Sequence, residues 1–155
     1  MNIKTITKNL RDLFKDDTAV KALVKNKVFI STDIITLIGK LDVPFINIEF
    51  DNLEVKEADN QNIKDYERHT FNYRIQFAVS DRNREDVLIG DNKLLDIYEL
   101  LLTTLKKDPT LKGTVDKFIK TPTLITQVFP PTRENILFVA GGEIGISFSK
   151  DVFVR

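Results

Sequence analysis

The sequence predicts an α+β domain: a mostly antiparallel sheet of about four to five strands, covered by a long central helix and an N-terminal helix. Three observations predict it. Between Arg84 and Leu105 the residues Val87, Gly90, Leu94, Ile97, Tyr98, Leu101 and Leu105 recur at steps of three and four, the spacing of one helix face. Phe71, Tyr73, Ile75, Phe77 and Val79 alternate with Asn72, Arg74 and Gln76, the period of a half-buried strand. Ile46, Ile48 and Phe50 alternate in the same way a short distance upstream, near enough to pair antiparallel with that strand. An amphipathic helix is marginal alone and must cover something apolar, so the central helix is expected across the sheet.

Taken in order, Asn2 to Phe14 reads as an amphipathic helix with Ile3, Ile6, Leu10, Leu13 and Phe14 on its stripe. Asp16-Asp17-Thr18 reads as a break and a new N-cap, opening a short helix to Lys25. Val28-Phe29-Ile30 is a short strand. Ser31-Thr32-Asp33 is a second cap-like cluster before IITLIGKL, whose period fits a helix or a strand, and Asp42-Val43-Pro44 ends it. Lys56 to Arg68 is the most polar segment and reads as a solvated hairpin loop or extension.

The central helix shows Leu95 and Leu102 widening its stripe, while Leu100 stands off it. Asp81, Glu85 and Asp86 suit its N-terminus, and Lys106-Lys107 its C-terminus. Asp108 to Val115, with Pro109 and Gly113, is a tight connection. Strands from Pro122 to Phe129 and from Ile136 to Phe148 follow, joined by Pro130-Pro131-Thr132. Gly141-Gly142 reads as a bulge or bend, and Val152-Phe153-Val154 as an extension of the sheet.

The 155 residues suffice for one domain, residues 1–155, with a real core. The 23 basic and 23 acidic residues cancel, which removes the electrostatic case for strong nucleic-acid or anionic-membrane binding. No cysteine is present, so disulfides and thiolate metal sites are excluded. No apolar run approaches the ~20 residues of a membrane helix, and the N-terminus lacks a signal-like apolar segment. A cytosolic setting is expected.

Little in the residues carries chemistry. His69, the lone histidine, has no partner in motif spacing and reads as structural. Gly141 to Gly145 lacks the ending of a phosphate loop and precedes strand alternation. No metal or cofactor is expected. The expected role lies instead in contact: an open sheet has edges that need protection. Leu100, Lys56, Asp59, Lys64 and Arg68 are the candidate oligomer or partner contacts.

The element order, with Pro44-Phe45-Ile46-Asn47-Ile48, a charged loop between strands, and Leu105, Asp108-Pro109, Leu111, Gly113 and Val115, resembles the tail-terminator or tail-completion proteins of tailed phages and phage-tail-like particles. The likeness extends from Asn2 to Phe148. It implies a structural virion protein without catalysis. Such proteins form a ring, commonly a hexamer, on the tail-tube end; the ring stops tube polymerisation and offers a surface to the head connector. The implied partners are further copies of the chain, the tail tube protein and the head-tail connector protein, with DNA passing through the lumen without specific binding. The implied location is the virion tail, after assembly in the host cytoplasm, with no membrane partner. A head-closure or neck connector protein of the same joint and a non-phage protein-interaction domain remain as alternatives.

Overall fold

A computed structural model describes residues 3–32, 43–57, 66–118, 123–133 and 135–153. Asp59, Lys64 and the IITLIGKL segment lie outside the described residues.

Helix α1 (Ile3–Lys15) buries Ile6, Leu10 and Phe14. A short break leads to α2 (Thr18–Val24), where the Asp17 carboxylate accepts the backbone N–H groups of Ala19 and Val20 at 3.1 Å each. This is the expected N-cap, which satisfies donors that a helix start leaves free. Strand β1 (Val28–Ile30) follows, then the long hairpin of β2 (Phe45–Glu57) and β3 (Tyr66–Asp81). After α3 (Asp86–Ile89) and α4 (Leu94–Lys107) come β4 (Lys117–Phe118), β5 (Thr123–Phe129) and β6 (Phe138–Phe153).

The six strands form one sheet in the order β1-β2-β3-β6, with β4 and β5 both pairing along the far side of β6. β1 runs parallel to β2; the other pairings are antiparallel. The helices share one face of the sheet. There Phe71, Tyr73, Ile75, Phe77 and Val79 join Leu94, Ile97, Leu101 and Leu105 in one core cluster, with Ile46, Ile48, Ile144, Ile146 and Phe148 beside them. The expected packing of the central helix stripe on the sheet is thus present.

Several expectations need correction. The central helix is two helices. The single turn α3 is held at its start by Asn83, whose side-chain oxygen accepts from the N–H groups of Glu85 and Asp86. It ends at Gly90, and Asn92 adopts a positive φ of 59° before α4 begins. The Gly-Asp-Asn sequence supplies the turn; a Cβ on Gly90 would lie 2.5 Å from the Asp86 carbonyl oxygen. Of the two readings of Lys56 to Arg68, loop or extension, the described ends take the second: β2 runs through Glu57 and β3 begins at Tyr66. Gly141 and Gly142 mark no bulge, because the β3–β6 register runs unbroken through them. A Cβ on Gly142 would come within 2.5 Å of the buried Phe77 ring, so this glycine makes room for an aromatic side chain. The irregularity lies instead on β2, between Phe50 and Asn52. β6 continues through Val152 and Phe153, as expected of the end of the chain.

The connection from Asp108 to Val115 is as tight as Pro109 and Gly113 imply. Leu111, Lys112 and Gly113 take consecutive positive φ values of 47°, 59° and 76°. Leu111 and Val115 are buried, and the Asn9 side-chain amide donates to the Leu111 carbonyl at 3.2 Å, tying this turn to α1.

Candidate partner interface

Side chains alternate across a sheet, so every apolar residue that β3 sends toward the helices is followed by one sent the other way. That second face carries no helix among the described residues. Three regions divide it. At one end Phe45, Ala78 and Val139 form a small apolar cluster with Phe29, Val43 and Phe129. Next to it Asn47, fully buried, accepts the Thr32 N–H at 3.0 Å and donates to the Thr32 carbonyl and to Gln76 Oε1 at 3.2 and 2.9 Å. The rest of the face is polar and open. Arg74 Nε donates to Asp51 at 2.7 Å, and its guanidinium lies 3.6 Å from Glu143. The Asp51 hydrogen bond, helped by the surrounding carboxylates, raises the Arg74 pKa further above its ordinary value. Asn72 donates to Asn52 at 2.7 Å and accepts from the Ser147 hydroxyl. Arg68 donates to Asp151 at 3.0 Å.

The charges of this face are interleaved, and Arg74 and Arg68 pair across strands with Asp51, Glu143 and Asp151. Glu49, Asp51, Glu54, Glu143 and Asp151 stand against Lys56, Arg68, Arg74 and Lys117, five carboxylates to four cations. A shallow trough runs along β6 where Gly141 and Gly145 send no side chain outward, bounded by β3 and by β5 with Ile125 at its rim.

Beyond the last helical contacts the sheet continues as a three-stranded extension. It comprises the far ends of β2 and β3 with the end of β6, registered through Glu57↔Glu67 and Tyr66↔Phe153. The Tyr66 and Phe153 rings meet at a centroid distance of 5.3 Å. Val55 and Phe153 are exposed there, at 49% and 54%. His69 lies at the root of this extension on the helix side. Its Nε2 is 3.3 Å from Glu67, and its buried Nδ1 has no hydrogen-bond partner among the described residues.

Of the expected contact residues, Lys56 and Arg68 are brought together as cross-strand partners on the extension. Arg68 is already paired with Asp151. Leu100 is far from them on α4; it is half-buried and packs against the margin of the main core. Sequence reading did not single out β5, which lies at an edge of the sheet beside β6. The signal was present in TLITQVF, seven uncharged residues rich in β-branched and aromatic types.

No metal-binding cluster of His, Cys, Asp or Glu occurs among the described residues, and no described helix is long and apolar enough to cross a membrane. No protein-family model and no curated protein matches the chain.

Proposed function

We propose that this chain is a structural subunit of a phage tail joint, a tail terminator that assembles into a ring on the tail-tube end, stops tube polymerisation and forms the joining surface for the head. The observation that supports this reading is the division of the sheet. One face is packed by four helices, while the other carries no helix among the described residues, is largely polar beyond the small Phe45, Ala78 and Val139 cluster, and ends in an exposed three-stranded extension. A subunit of a tube or ring needs such an asymmetry: an outer packed layer, and an inner or lateral surface left for neighbours and for passing DNA. That second face holds five carboxylates and four cations among the described residues. Such a face offers phosphates no dense basic lining and so lets DNA slide.

The neck-connector alternative rests on the same features and differs in where the protein acts. The test adds gold-labelled protein to tail tubes polymerising from purified tube subunits, imaged by electron microscopy. The terminator reading expects label at one end of each tube and growth arrested there. Label along the tube wall, or unarrested growth, contradicts it; a connector would leave growth unaffected and bind only capped tails.

A further inference from the structure

The two long edges of the sheet are treated differently, and the difference has a geometric consequence. On β2, β1 pairs only with Ile46–Ile48, so the outer edge from Glu49 to Glu57 has no backbone partner among the described residues. On the opposite side, β5 pairs inward with β6, and its outer edge is likewise unpartnered there. Natural edge strands are blunted by charge, proline or a covering segment. β5 has neither charge nor proline within its seven residues, no segment covers its outer edge among the described residues, and Ile125 stands 66% exposed.

We infer that the outer edge of β5 pairs antiparallel with the outer edge of β2 in the next copy of the chain, so that the sheet runs continuously from subunit to subunit. The continuous ring form of this inference rests on the ring reading proposed above. The strand directions allow it: β5 is antiparallel to β6, β6 to β3 and β3 to β2, so copies related by rotation about an axis along the strands present β5 antiparallel to the neighbour's β2. One register keeps all of β5 on β2, clear of β1 and in phase with the pleat. It sets Phe129 opposite the next copy's Glu49 and Thr123 opposite the next copy's Lys56, with Asp51 as the extra residue of the existing irregularity. On the helix side this register brings Val128, Thr126 and Leu124 against the next copy's Phe50, Leu53 and Val55. Phe50, Leu53, Leu124 and Val128 are only half-buried within one subunit, and Val55 is exposed. On the open side Ile125 meets the next copy's Glu54, and no like charges meet.

The same register makes a closed sheet plausible in its dimensions. From Glu49 through Arg74, Gly145 and Thr123 to the next copy's Lys56, the path steps across ~19 Å of sheet and climbs ~20 Å along the strands, a tilt of ~45°, at the upper end of closed-barrel values. Only a head-to-tail arrangement occupies both edges at once; a two-fold β5–β5 pairing leaves β2 bare.

The test uses the absence of cysteine in the native sequence. The double variant Ile125→Cys/Glu54→Cys, at two exposed positions, is concentrated, oxidised and analysed by non-reducing electrophoresis and native mass spectrometry. The two cysteines lie on opposite edges of one subunit's sheet and so link only between copies. The expected result is a ladder of disulfide-linked oligomers extending to the ring, with neither single variant forming more than a dimer and Ile125→Cys/Lys8→Cys forming no ladder. A native ring without the ladder overturns this seam and leaves the ring reading standing. An efficient dimer from Ile125→Cys alone, with no ladder from the pair, identifies two-fold β5 pairing and overturns it. Monomer without cross-links at every concentration overturns it also, and leaves β5 to a foreign strand. A ladder from a protein that fails to arrest tube growth keeps the seam and removes the terminator reading.

Discussion

Asp17 shows how much a single side chain carries. Burial pushes its carboxyl pKa up, but the hydrogen bond from Lys107 and the N–H groups of Val20 and Ala19 outweigh this and hold it below the ordinary 3.8. A depressed carboxyl stabilises the fold above its ordinary value, and that contribution is lost as pH falls through the lower folded value. Asp17→Ala, which removes cap and charge together, is expected to cost about 1 kcal/mol in denaturant unfolding at neutral pH. Asp17→Asn keeps a capping oxygen, so its deficit relative to the native chain should shrink as pH drops below about 4. A deficit independent of pH would remove the charge from this account. The Asp-Thr cap was legible in the sequence because capping is local. Gly142 was not, since its partner Phe77 lies on another strand and the need for space there is tertiary. Gly142→Ala should destabilise by about 1–3 kcal/mol, because a buried ring must yield to the new methyl. Unchanged stability on chemical unfolding would show that Phe77 moves freely.

At the level of elements, periodicity identified what is half-buried and failed where both faces are wet. The β3 alternation and the α4 stripe were readable because each has one face in the core. The far ends of β2 and β3 read as a loop or an extension, with no choice between them, because residues 51–57 and 66–70 keep both faces at least partly accessible, which erases the alternation. The split between α3 and α4 was obscured because Val87 and Leu94 are both buried and fall in phase across the Gly90 turn. Leu101 is fully buried in the main core. Leu101→Ala is therefore expected to cost about 2–5 kcal/mol, whereas Leu100→Ala, trimming a half-buried side chain, should cost about 1 kcal/mol. Equal losses at the two positions in equilibrium unfolding would mean that the stripe does not define the core.

For the whole molecule, composition and order of elements conveyed an α+β domain, and the sheet sealed on one face is what those patterns require. The surface proposed for partners was only partly legible. Lys56 and Arg68 are cross-strand partners on the extension, whereas the uncharged edge of β5 emerges only once β6 is known to lie beside it. Edge and centre strands share a local sequence pattern; topology alone separates them. The proposed role belongs to the assembly, so its most direct test is made on particles. Deleting the gene and measuring tail lengths by electron microscopy should give tails of uncontrolled length that fail to join heads. Tails of normal length attached to heads would contradict the terminator reading.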